Sequence, residues 1–207
     1  MGKPTLRIGG LQQWSTCDWP GELVATIFCQ GCSWACPYCH NPHLRSARGG
    51  DGRLSWNEVL TFLKNRRGLL DGVVISGGEP LLQSALSDAA REIRSIGFKV
   101  GLHTGGPVPE RFAAVLPHLD WVGFDIKAPF EDYESITGVA ESGAAARESL
   151  SLLLASGVAY QLRTTVHKKL LNDEAVARLN ADLAAMDCGP TLIQEFRKDG
   201  VADLSLL

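Results

Sequence analysis

The sequence predicts an α/β fold with a mainly parallel sheet, arranged as a partial (β/α)6 barrel. Three observations carry this. Short apolar, β-rich runs alternate with stretches of helical periodicity. About six such units follow one another along the chain. The chain has 207 residues, fewer than the roughly 250 of a complete eight-unit barrel.

The β-rich runs are Leu23–Phe28, Val73–Ile75, Phe98–Leu102, Trp121–Ile126, Tyr160–Val166 and Thr191–Ile193. After the first, Ser55 and Glu58 have the spacing of a capping box, followed by Val59, Leu60 and Leu63 and ended at Gly68. Beyond Pro80, the residues Leu82, Ala85, Leu86, Ala89, Ile93 and Ile96 form one helical stripe, which Gly97 stops. Glu110–Leu116 reads as a short helix ahead of Pro117, and Ala144–Ala155 as another with Gly157 just past it. Asn172 or Asp173 caps the last helix, which carries Val176, Leu179, Leu183 and Met186. The loop from Pro42 to Leu54, rich in Arg and Gly, reads as the most mobile segment. With no internal repeat or linker, a single domain is expected over 1–207. It has an N-terminal extension of about 1–22, a core of about 23–196 and a short C-terminal tail.

Hydrophobic residues at 45% and charged residues at 21% exclude a disordered chain, a collagenous repeat and a coiled coil. A net charge of −3 gives no reason to expect a nucleic-acid partner. No apolar run reaches 18 residues, so no membrane span is expected. Met1 to Gly10 lacks the apolar region of a signal peptide. A cytoplasmic protein is therefore expected, in which the six cysteines bind metal or do chemistry rather than form disulfides.

Barrels and open parallel sheets place ligands at the carboxyl ends of their strands. After the first strand, four cysteines fall within 11 positions: Cys29, Cys32, Cys36 and Cys39. Zinc would use the two Cys-x₂-Cys pairs, yet only three residues separate them, where structural zinc sites have a dozen or more. The alternative takes Cys32, Cys36 and Cys39 as three thiolates of an iron–sulfur cluster. On a four-iron cluster that leaves one iron open, as catalytic metal sites are. Cys29, at a strand end, then reads as a core thiol, and Cys17 and Cys188 as structural thiols. Trp34 is placed to shield the metal.

At the second strand end, Gly77 and Gly78 allow close approach of a ligand, and Glu79 can accept from an ammonium group. A plain strand-to-helix turn is the alternative. The third strand ends at His103 and Thr104, and His103 also fits a hydrogen-bonded structural histidine. Asp125 and Lys127, two apart, share one face of the fourth strand, as do Arg163 and Thr165 on the fifth. Either pair enters the cavity or forms ion pairs, Arg163 with Glu195 or another acid. Gln194 and Arg197 are weaker candidates.

Cys-x₃-Cys-x₂-Cys directly after a first strand, with Tyr38 before the last cysteine, resembles the signature of the radical S-adenosylmethionine (SAM) superfamily. The run from Cys36 through Pro37, Tyr38, Cys39, His40 and Asn41 to Pro42, preceded by Asp18-Trp19-Pro20-Gly21, resembles the glycyl-radical-enzyme activases. The likeness covers about Ser15 to Phe196. It is nearest to the short activating proteins of anaerobic ribonucleoside-triphosphate reductase, with pyruvate formate-lyase activating enzyme as a relative.

The resemblance implies a radical-SAM-type barrel with a 4Fe–4S cluster on Cys32, Cys36 and Cys39, and SAM beside it. It places Gly77, Gly78 and Glu79 at the methionine amino group, Thr104 at the ribose and Lys127 at the methionine carboxylate. Asp125 is placed at the ribose or at a monovalent cation, and Arg163, Thr165 and Tyr38 among the cofactor contacts. Where the related activases usually show Asp-Thr-Asn-Gly, this chain has His103-Thr104-Gly105-Gly106. The implied reaction is reductive cleavage of SAM to a 5′-deoxyadenosyl radical, which takes a hydrogen atom from a glycine of a larger enzyme. Flavodoxin or ferredoxin would supply the electron, since no second cysteine cluster is present. Two alternatives stand beside this: a radical SAM enzyme acting on a small molecule, of the deazapurine-synthase type, and a non-catalytic zinc- or cluster-binding interaction module.

Overall fold

A computed structural model of the chain describes residues 5–48, 54–201 and 203–206. Seven strands form one sheet: β1 (Ile8–Ser15), β2 (Val24–Cys29), β3 (Gly72–Gly77), β4 (Lys99–Thr104), β5 (Trp121–Asp125), β6 (Ala159–Val166) and β7 (Leu192–Glu195). Their spatial order is their chain order, and among the described residues the sheet does not close. β2 to β7 are parallel and β1 runs antiparallel to β2. Among the described residues six α-helices complete the fold: α1 (Trp56–Lys64), α2 (Leu86–Ser95), α3 (Pro109–Val115), α4 (Tyr133–Thr137), α5 (Ser142–Ser156) and α6 (Asp173–Ala184). The expected open, mainly parallel α/β barrel is what the chain forms. None of the described helices is long and apolar enough to cross a membrane.

Three elements depart from expectation. β1 was not anticipated, because Gly9, Gly10, Gln12 and Gln13 hide any apolar alternation, and its pairing with β2 is irregular in register. α2 does not begin at Pro80. A 3₁₀ turn at Pro80–Leu82 gives way to extended backbone at Gln83, whose side chain accepts from Arg7 N (2.6 Å) and donates to Arg7 O (2.9 Å). The short α4 lies in a segment to which the sequence pattern assigns no element.

The pleat divides the strand residues between two environments. Ala25, Ile27, Val73, Ile75, Val100, Leu102, Val122, Phe124 and Leu162 face the helices in the main core. On the concave face, Val24, Val74 and Trp121 form a separate small core around Trp19. The two indoles stack with centroids 5.5 Å apart. Gly101 leaves room for this, since a Cβ there would stand 2.8 Å from Trp19. The Asp18–Gly21 turn thus folds under the sheet and floors the concave face at the amino ends of the strands. One row above that floor the face turns polar, with Ser76 and His103, and above these Asp125 pairs in register with Arg163.

Candidate active site

The cysteine loop leaves β2 held from two sides. Gly31 N donates to Leu44 O (2.7 Å), Cys32 N to Arg45 O (3.0 Å) and Gln30 Nε2 to Ser46 O (2.6 Å). The segment read as mobile is therefore hydrogen-bonded over 42–46, and residues 49–53 of it lie outside the described ones. On the other flank Ala35 N donates to Thr137 O (2.7 Å), beside α4. Trp34 is 4% exposed, packs against Gly105 and meets Tyr133 edge-on at 6.1 Å.

Cys29 is fully buried in the outer core. Cys32, Cys36 and Cys39 are half-buried along the loop, with a turn bringing Cys39 N to Cys36 O (3.1 Å). Burial, helped by the Glu79 charge, pushes the Cys32 thiol up to about 12, and burial likewise raises Cys36. Both stay protonated unless a metal replaces the proton. Among the described residues, no three of His, Cys, Asp and Glu gather tightly enough to hold a single metal ion.

The glycines after β3 answer first to the protein itself. Gly78 N donates to Cys29 O (2.9 Å) and Glu79 N to Gly31 O (2.8 Å). A Cβ on Gly77, which has φ +113°, would run into Cys29 backbone, and one on Gly78 into Gly31 backbone. The Glu79 carboxylate is 3% exposed and accepts from Leu81 N (2.9 Å), Thr104 Oγ1 (2.7 Å) and Gly105 N (3.1 Å). Burial raises its carboxyl to about 7 against those three donors. Thr104 Oγ1 also accepts from Gly106 N (3.0 Å). Both side chains tie the ends of β3 and β4 together and have partners within the wall.

The concave face carries the charges. Arg163 puts Nε (2.9 Å) and Nη2 (2.8 Å) on Asp125 Oδ1, and Lys127 Nζ lies 3.2 Å from Asp125 Oδ2. Burial works against the Asp125 charge, but Arg163 and then Lys127 outweigh it and hold the carboxyl well below the usual range. Burial also opposes the Lys127 charge, and Asp125 foremost keeps it protonated. Asp125 and Lys127 thus come together as their spacing predicts, and the acid that meets Arg163 is Asp125, not Glu195. Lys127 Nζ stands 5.9 Å from the Tyr38 ring centroid, which brings this charge to the cysteine loop. The buried Tyr38 hydroxyl has no partner among the described residues.

His103 Nε2 is 2.7 Å from Asp18 O and 3.1 Å from Arg163 Nη1, and Nδ1 is 3.3 Å from Ser76 Oγ. Donation from Nε2 to Asp18 and from Ser76 to Nδ1 fits a neutral ring. Burial and Arg163 push its pKa down to about 4. Gly123 makes space for both, since its Cβ would stand 2.8 Å from His103 and 2.9 Å from Arg163. Sequence reasoning passed over Gly123, for which a glycine inside an apolar strand was the available signal, and gave Asp18 no role beyond its motif. Thr165 is half-buried, in register with Gln194 on the exposed β7. Arg197 contributes its carbonyl, 2.9 Å from His40 Nε2.

Residues 26–179 match the sequence profile of the Radical SAM superfamily. The chain belongs to that superfamily. Its cofactors are a 4Fe–4S cluster and SAM. A Methanocaldococcus jannaschii protein, provisionally named a glycyl-radical enzyme activating enzyme, is 31% identical over 205 residues, spanning 95% of this chain and 82% of the relative. The pyruvate formate-lyase-activating enzyme of Clostridium pasteurianum is 34% identical over 143 residues, 66% of this chain but 59% of that enzyme. Among solved structures, anSMEcpe with bound AdoMet shares the fold at 18% identity and a TM-score of 0.60, over 81% of this chain and 48% of that one.

Proposed function

We propose that the chain is a radical SAM activase that generates a glycyl radical on a partner enzyme, with anaerobic ribonucleoside-triphosphate reductase as the specific partner. In this reading Cys32, Cys36 and Cys39 hold the cluster. One observation carries it: Lys127, the cation suited to a methionine carboxylate, stands over Tyr38 between two of those cysteines. When bound, the cluster and SAM supply a reductively generated carbon radical that abstracts a hydrogen atom.

The residues do the rest. Lys127 binds the carboxylate, and Asp125 with Arg163 fixes Lys127 and the ribose side of the pocket. Glu79 and Thr104 tie the end of β4 to the turn after Gly77 and Gly78, whose carbonyls would accept from the ammonium group. Thr165 lines the mouth. The floor of Trp19 and Trp121 excludes water from below. The resemblance in sequence to proteins named as activating enzymes supports a glycine of a large enzyme as the substrate.

The test is anaerobic reconstitution with iron and sulfide, then SAM and dithionite, scored by 5′-deoxyadenosine. Incubation with anaerobic ribonucleotide reductase should then give the EPR doublet of a glycyl radical. A doublet with another glycyl-radical enzyme and none with the reductase would reassign the partner.

A further inference from the structure

We propose that Arg7, Arg45 and Arg48 form the docking face for an acidic one-electron carrier protein that reduces the cluster, an inference that rests on the radical SAM reading above. The three residues flank the backbone that enters the cysteine motif. Arg45 O accepts directly from Cys32 N (3.0 Å), and Arg7 O from Gln30 N (2.9 Å). The Arg7 guanidinium and Ala47 both approach Gly31, each 3.7 Å from where a Cβ would stand. Arg48 follows on the same segment, with its N–H on Ser46 Oγ (3.2 Å).

The charge is uncompensated and exposed. All three arginines are exposed, and among the described residues none has a carboxylate within ion-pairing distance. This occurs in a chain whose net charge is −3. Acidic residues are concentrated elsewhere: Glu131, Glu134, Glu141 and Glu148 line one hollow beside α5. A molecule so divided attracts an acidic partner to one face and turns it from the other.

Elsewhere the cysteine loop is tied to its neighbours. Thr137 sits against Ala35, and Arg197 and Gly200 lie over His40. Lys127 marks the concave side, beside Tyr38. On the arginine side a carrier reaches the backbone of a proposed ligand across one hydrogen bond, without entering the mouth that a protein substrate needs. Redox encounters of this kind are small and transient, which suits an electrostatic patch without an apolar centre. The step moves one electron from the reduced carrier to the cluster, and no bond forms or breaks.

The experiment uses the full chain, reconstituted without oxygen, and reduced flavodoxin as the acidic carrier. Cluster bleaching is followed by stopped flow at low and high salt. Binding of oxidised flavodoxin is measured by calorimetry. The wild-type rate should fall with salt. The R7E/R45E/R48E variant should be slower by about tenfold or more, with the salt dependence gone and the calorimetric binding lost. The R7K/R45K/R48K variant should keep both, which separates charge from misfolding. Reduction by dithionite should be unchanged throughout. Wild-type rates and binding in the glutamate variant would overturn the proposal. So would loss of the dithionite-driven glycyl radical in that variant, since the face would then belong to the substrate enzyme. If wild type with dithionite yields no 5′-deoxyadenosine, the catalytic reading fails, and the calorimetric arm alone still decides the docking face.

Discussion

The indole of Trp34 stands where a side chain on residue 105 would be, so Gly105 and Trp34 share one volume. The related activases usually carry Asn at this position of the motif. Here its absence admits a tryptophan from the cysteine loop, which packs that loop against the end of β4. Gly105→Asn should therefore cost about 1–3 kcal/mol by overpacking. Adding Trp34→Ala should recover part of the loss, a non-additivity that a urea-denaturation cycle measures. Simple additivity would mean the two do not compete for space.

Asp125 neutralises two cations at once. Its side chain is 29% exposed, with Arg163 at 11% and Lys127 at 17%. Asp125→Ala leaves both without their carboxylate and should destabilise by about 3–5 kcal/mol. Asp125→Asn, which keeps an acceptor, should cost less. The midpoint of urea denaturation, at constant slope, is the measurement.

Glu79 gives an inverted pH dependence. Its folded carboxyl is raised from 4.5 to about 7. The folded state therefore holds its proton more tightly than the unfolded chain, and this group's contribution is full below about 4.5 and lost as pH rises to about 7. The change across that window is about 3 kcal/mol. Urea midpoints of the protein without cluster or SAM should carry this falling component between those limits. Glu79→Gln should remove it, and an unchanged profile in that variant would refute the assignment.

Trp19 is 6% exposed and fills the floor against Trp121. Trp19→Ala should cost about 3–5 kcal/mol through lost burial and the cavity left behind. Thermal and urea unfolding read this without any cofactor.

Five of the six cysteines fall into two proposed groups, three cluster ligands and two structural thiols. Serine at Cys32, Cys36 or Cys39 should each sharply reduce iron and sulfide bound after anaerobic reconstitution. Serine at Cys17 or Cys188 should leave both at wild-type levels. Equal losses at all five positions would mean that the three-cysteine assignment is wrong.

The parallel strands and most helices were legible because buried strands read as apolar runs and helices as stripes with caps at Ser55 and Asn172. β1 was not, since an edge strand exposed on much of its length needs no apolar alternation. The Asp125–Lys127 pairing follows from strand alternation alone. The partner of Arg163 could not be read, because it depends on the register of β5 against β6, which joins residues 38 apart. Gly77 and Gly78 were legible as a close approach. That the approach is between two backbones required the fold, as did the inward turn of Glu79 and Thr104.

The sheet order repeats the chain order strand by strand. Each new strand therefore docks on the one made just before it, and assembly is a matter of accretion. Such neighbour-to-neighbour pairing leaves no strand waiting for a distant partner, although each parallel pair, such as Val24 with Gly72, still closes a long crossover. During synthesis, which exposes the amino end first, the β1–β2 hairpin and then β3 frame the thiol-bearing loop long before β5 and β6 bring Asp125 and Arg163. The thiols are thus set in place on an early foundation, and the charged pocket opposite them is the last part of the site to be built.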